Sequence, residues 1–162
     1  MRDGPRSGCP INAAIEALGD RWSLIVLRDV IFGGRRSFRD LLAHSEEGIA
    51  SNILSSRLKS LVAGGLLSHQ PAARGHRATY TLTEAGIQTV PILAALATWG
   101  LDHRETTPRL AVRAHVLREG GPPLWTALMD ELRETHLGIP RPHPDRPTAT
   151  ELLRTAYEQA RH

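Results

Sequence analysis

One cysteine, Cys9, stands in 162 residues, and one lysine, Lys59, among 20 basic side chains. A lone thiol excludes an internal disulfide and points to a reducing cytoplasm. No apolar run approaches the ~18 residues of a membrane span. The N-terminal "MRDGPRSGCP" has no apolar h-region, so no secretion signal is expected. Also missing are a P-loop, a Gly-rich dinucleotide fingerprint, an HExxH pair and a nucleophile elbow. An enzyme is therefore not expected. His44, His69, His76 and His103 lack metal-ligand spacing, and His136 and His143 add no zinc pair. No metal and no cofactor are expected.

What the chain does contain is a globular composition, with 41% hydrophobic and 23% charged residues and a net charge of +3. The charge is unevenly spread. Between Arg28 and Arg77 stand Arg28, Arg35, Arg36, Arg39, Arg57, Lys59, Arg74 and Arg77, against Asp29, Asp40, Glu46 and Glu47. That window is more basic than the whole protein, the electrostatic footprint of phosphate binding. Inside it lies "SNILSSRLKSL". Leu54, Leu58 and Leu61 fall on one helical stripe, and the other side presents Ser51, Asn52, Ser55, Ser56 and Lys59 without an acid. Solvated helix faces ordinarily mix Glu with Lys. An acid-free row of short donors and acceptors points instead to a polyanion.

The order of elements agrees. Ile11, Ile15 and Leu18 mark a first helix ended by Gly19. Asp20 is placed to cap a second, Trp22–Phe32, which is apolar nearly all round and ends at Gly33-Gly34. Ser37 caps a short third helix reaching about Ala43, with Asp40 at the capping-box spacing. The fourth runs from Ile49 to Ala63. "LLSHQ" and "ATYTLT" then flank "PAARGHR" as a hairpin with a basic tip. Thr83 caps a long apolar helix in which Pro91 marks a kink or a late start. This helix is apolar on every side from Val90 to Ala97, so it predicts a dimer seam shared with the first helix. Helix, helix, turn, helix, basic hairpin, helix is the order of a winged helix-turn-helix. The fold class expected is mainly α with a small β-hairpin.

Cys9-Pro10, "GDRW", "LRDV", "GGRRSFRDLL", "GIASNILSSRLKSLVAGGLL", "YTLTEAG" and "PILAALATWG" together resemble the HxlR family of bacterial transcription regulators, and MarR regulators more distantly. The resemblance implies a cytoplasmic homodimer on a double-stranded DNA operator. It puts recognition helix 51–63 in the major groove and wing 71–77 on the backbone or minor groove. Ala50 departs from the family by standing where a capping Ser or Thr is expected, which predicts Ser51 as the cap. Asn52 and Ser56 stand where longer side chains are frequent.

Docking of this type brings Ser51, Asn52, Ser55 and Ser56 to base edges, with Lys59 on the same face. Asn52 suits bidentate pairing with adenine. Arg35, Arg36 and Arg39 surround the start of the short helix, where Ser37 is a cap or a further contact. Arg74, His76 and Arg77 at the wing tip suit phosphate or the minor groove. Arg57 has two readings, a phosphate contact or an internal ion pair. Some relatives sense oxidants or electrophiles through a cysteine near Cys9. The other reading of Cys9 is a small hydrophobe at the dimer seam. A small-molecule effector is a further partner to test for. Trp22 and Trp99 read as core, the other reading being the lining of a ligand pocket near the dimer interface.

The expected organisation is a flexible 1–8, a DNA-binding and dimerisation domain over 9–103, and a helical C-terminal extension over 104–162 with a Pro-rich spacer at 139–147. The extension holds two amphipathic helices, one with a stripe of Leu124, Leu128 and Leu132 beside Trp125, and a last helix capped by Thr148 or Thr150. Three roles are open to the extension, reinforcing the dimer, covering the DNA domain or forming a ligand site, and the exposed stripe favours the first. The competing functional reading is a winged-helix module that binds protein. Such a module has no need of the basic wing and the acid-free face that this chain keeps.

Overall fold

The computed structural model describes residue 4 and residues 6–161. They form two compact units, one ending at Gly86 and one starting at Ile87. The first unit begins with α1, Pro10–Leu18. Pro10 sits in its first turn, where a missing N–H costs nothing. Leu18 is buried, but Ile11 and Ile15 are 71% and 59% exposed.

Asp20 performs the capping its position suggests. Its Oδ1 accepts the backbone N–H groups of Trp22 and Ser23, each at 2.8 Å, and its Oδ2 accepts the Ser23 hydroxyl. Helix α2, Ser23–Gly33, follows, with Val26, Leu27, Val30 and Ile31 in the core. Gly34 ends it at φ 62°, a left-handed conformation that costs a side chain roughly 1–2 kcal/mol. Helix α3, Phe38–Ala43, is capped by Ser37, whose Oγ accepts the Asp40 N–H at 3.1 Å and donates to Asp40 Oδ2 at 2.8 Å.

Helix α4, Ser51–Ala63, packs on both α2 and α3. Leu54, Leu58 and Leu61 are at most 1% exposed, and burial of each contributes roughly 1.5–3 kcal/mol. The predicted stripe is thus the core of this unit. Ala50 holds the N-cap position without a side-chain bond, and Ser51 is the first helical residue rather than the cap. The cost is about 1 kcal/mol of helix stability, and the Ser51 hydroxyl stays exposed. Strands β1, Leu67–Gln70, and β2, Thr79–Leu82, pair antiparallel from Leu67↔Leu82 to Gln70↔Thr79. Leu67 and Leu82 close the core, and residues 71–77 are all exposed.

Thr83 caps α5, Glu84–Ile87, by accepting the Gly86 N–H at 3.1 Å. The long helix expected there is split. Helix α6, Val90–His103, starts afresh with Pro91 in its first turn, which is the late start rather than the kink. Trp99 is 51% exposed, not core. Its ring tilts against His103, centroids 5.0 Å apart, and the Arg104 guanidinium carbon lies 4.6 Å from its centroid.

Helix α7, Pro108–Leu137, is two helices joined at Gly121 (φ 59°, ψ −160°), followed by Pro122-Pro123. Such a conformation is nearly exclusive to glycine. Helix α8, Ala149–Gln159, packs back on α7. Glu131 is buried there and receives the Ala149 N–H, the Thr150 N–H at 3.0 Å and the Thr150 hydroxyl at 2.6 Å. Thr148 and Glu151 complete a capping box. Leu128 and Leu132 are 1% and 6% exposed. Of the predicted stripe, Leu128 and Leu132 are therefore buried within the chain, where α8 packs on α7, and Leu124 is half-buried.

Candidate nucleic-acid interface

The surface is built on the rear packing of α4. Three leucines fix the helix against α2 and α3, so the opposite side is held rigidly outward. Ser51, Asn52, Ser56 and Lys59 are exposed and Ser55 is half-buried. Their spacing along the helix gathers them on one side. Helix α4 contains no acidic residue.

The eight cations of the basic window divide sharply. Arg28 makes paired bonds to Glu47 at 2.7 and 2.8 Å, and two more to Asp29 Oδ1 at 2.9 and 2.8 Å. The Glu47 bonds, ahead of the cost of burial, raise the Arg28 pKa, and the same bonds hold the Glu47 carboxyl below its usual range. Asp29 is buried, and that burial raises its pKa even against the attraction of Arg28 and Arg35. Arg35 lies 3.7 Å from Asp29. Arg57 lies 3.5 Å from Asp20. Burial pushes the Asp20 pKa up, but the Ser23 hydroxyl, the Trp22 and Ser23 N–H groups and Arg57 together bring it below its usual value.

Arg36 is bound to the hairpin rather than to a carboxylate. Its Nε donates to the Tyr80 carbonyl at 3.1 Å and its Nη2 to Thr81 Oγ1 at 2.5 Å. Its own carbonyl accepts the Tyr80 N–H at 2.7 Å. Ser37 is buried and engaged as a cap. This leaves Arg39, Lys59, Arg74 and Arg77 exposed and without an ion pair among the described residues, with His76 beside the last two. Gly75, at φ 80°, turns the wing tip. Cys9 is a free, exposed thiol at the N-cap position of α1, and its N–H donates to Ser7 Oγ at 3.3 Å. Among the described residues no cluster of His, Cys, Asp and Glu could hold a metal, and no helix is long and apolar enough to cross a membrane.

Residues 17–108 match the family of HxlR-like helix-turn-helix proteins. The chain belongs to this family. The HxlR-like region contains α2 to α4 and the hairpin, so the acid-free face and the four free cations all lie within it. The chain is 36% identical over 119 residues to the uncharacterised HTH-type transcriptional regulator Rv3095 of Mycobacterium tuberculosis (strain ATCC 25618 / H37Rv), covering 72% of this chain and 73% of that one. It is 31% identical over 98 residues to the HTH-type transcriptional regulator sll1512 of Synechocystis sp. (strain ATCC 27184 / PCC 6803 / Kazusa), covering 60% and 71%. Among solved structures, PA1607, a candidate transcription factor, superposes with a TM-score of 0.56 at 34% identity, over 62% of this chain and 69% of that one. The HxlR-like fold, mostly helical with one antiparallel hairpin, is the fold class the sequence predicted.

Proposed function

We propose that this HxlR-like protein is a sequence-specific DNA-binding regulator of transcription acting as a homodimer. The observation that carries the reading is α4. It is packed rigidly from behind by Leu54, Leu58 and Leu61, and it presents Ser51, Asn52, Ser55, Ser56 and Lys59 outward with no carboxylate. In this reading α4 enters the major groove, Asn52 reads a base, and Arg39, Lys59, Arg74 and Arg77 meet phosphates. His76 joins them at the wing. Residues 9–103 act as the DNA-binding and dimerisation domain and 104–162 as its extension.

A dimer is supported by the apolar side chains left bare. Ile92, Leu96 and Trp99 on α6 are 39%, 49% and 51% exposed and recur at helical spacing. Ile11 and Ile15 do the same on α1. Two subunits then aim their α4 helices at grooves about 34 Å apart on one duplex. Leu96→Asp is expected to give a monomer by light scattering and to abolish operator binding. A Leu96→Asp dimer with unchanged affinity overturns the seam.

The decisive DNA experiment pairs two variants on two duplexes, the operator selected from random sequence and an unrelated one. Asn52→Ala should weaken the operator by about 1–3 kcal/mol and the unrelated duplex hardly at all. Equal losses on both remove Asn52 from base readout. Cys9 is proposed as the input, its thiol being free and exposed. Diamide or an aldehyde should release DNA from the native protein and not from Cys9→Ser. Release from both variants makes the input something other than Cys9.

A further inference from the structure

We propose that Arg36 is a positioning residue that sets the wing relative to the recognition helix, and that it touches no DNA itself. The proposal rests on the DNA-binding reading above. Three bonds join Arg36 to β2: the backbone N–H of Tyr80 to its carbonyl at 2.7 Å, Nε to the Tyr80 carbonyl at 3.1 Å, and Nη2 to Thr81 Oγ1 at 2.5 Å. The residue thus acts as a one-residue third strand beside the hairpin, with its side chain folded back along the same strand. Thr81 is buried at 9% exposure, so its hydroxyl is held in place from behind. Arg36 itself sits between the left-handed stop of α2 at Gly34 and the cap of α3 at Ser37. Its anchor is therefore the helix-turn-helix, and its load is the hairpin.

The arrangement answers a mechanical need. A two-stranded hairpin alone is marginally stable in water. Leu67 and Leu82 pack its base into the core, residues 71–77 beyond it are exposed, and Arg36 ties the middle of β2 to the turn before α3. Phosphate contacts from Arg74 and Arg77 need the hairpin fixed in angle, or the ordering must be paid on binding. A guanidinium suits the task because its planar fork spans a carbonyl and a hydroxyl at once, which an ammonium does not.

The test is a double-mutant cycle on the full-length protein. Arg36→Met should weaken operator binding about five- to tenfold. The same change should cost less than about twofold when Arg74 and Arg77 are already alanine, because the wing it serves is then idle. Thr81→Val, which keeps the shape and loses the acceptor, should show the same coupling at smaller size and guards against an Arg36 variant that folds poorly. In the free protein, amide exchange over residues 79–82 should speed up at least about tenfold in Arg36→Met while α4 stays protected. Equal losses in both backgrounds, with a log-log salt slope about 0.9 lower, make Arg36 a direct phosphate contact and overturn the proposal. Unchanged exchange in β2 overturns it as well. If Arg74→Ala with Arg77→Ala leaves affinity intact, the wing reading fails instead, and the exchange data alone decide for or against the brace.

Discussion

The α2–α3 junction and the wing tip are both rich in arginine, and they use it in opposite ways. At the junction Arg28, Arg35 and Arg36 are held by Asp29, Glu47 and the β2 strand. At the tip Arg74 and Arg77 are exposed and unpaired among the described residues. Cations of the first kind fix the framework, Arg28 and Arg35 against carboxylates and Arg36 against a neutral carbonyl and hydroxyl. Those of the second kind keep their charge available for a partner. A basic count along the chain therefore mixes cations engaged within the fold with cations left unpaired among the described residues.

The contrast can be broken most forcefully at Arg28. Arg28→Met leaves the Asp29 carboxylate buried and stripped of its closest partner. Breaking a fully buried pair costs about 3–5 kcal/mol. Arg28 is 33% exposed, so a loss of about 2–3 kcal/mol is expected, read as a lowered urea midpoint. A loss below about 0.5 kcal/mol means that the junction arginines are no framework. Next in size, Arg74→Ala and Arg77→Ala should leave thermal stability unchanged. Each should weaken operator and unrelated DNA alike and lower the salt slope by about 0.9. A slope that does not move removes the tip from the phosphates.

The smallest effect is in acid. Glu47 is held below its ordinary carboxylate value by the Arg28 guanidinium. Its contribution is present above that unfolded value and fades as pH falls through the lower folded one. Asp29 has the opposite sign. Its raised pKa favours folding at low pH, and that advantage is lost as pH rises through its folded value. Glu47→Gln should remove the first component, about 0.2–1 kcal/mol for a solvent-screened pair, lessen the second by taking a negative charge from beside Asp29, and flatten the acid limb of a stability–pH curve. A Gln variant with the same acid limb as the native protein places the titration elsewhere.

Much of this architecture is legible in the sequence because it is written in periodicity. The stripe of Leu54, Leu58 and Leu61 locates both a helix and its buried side, and Gly33-Gly34 with Ser37 bounds the turn before it. The hairpin is legible from the change of period and from Pro71 and Gly75. What periodicity does not carry is which side chains close long-range pairs. Arg36 and Thr81 are 45 positions apart, and nothing local marks them as partners. Arg28-Asp29 does leave a trace, two charges inside an otherwise apolar helix, and a buried charge needs a partner. Trp99 stands outside the core expected for it because hydrophobicity says that a side chain wants cover without saying whose. The Leu128 and Leu132 stripe departs in the other direction, since its cover comes from α8, past a proline-rich spacer.

The carboxylate of Glu131 also changes how the C-terminal segment should be handled in practice. Cutting the chain ahead of Thr148 would strand that oxygen pair in an apolar seam with every donor gone, and would bare Leu128 and Leu132 to solvent. A shortened protein would then clump or bind chaperones for reasons unrelated to gene control. A truncation inside the tail therefore reports on the packing of α8 against α7 before it reports on DNA.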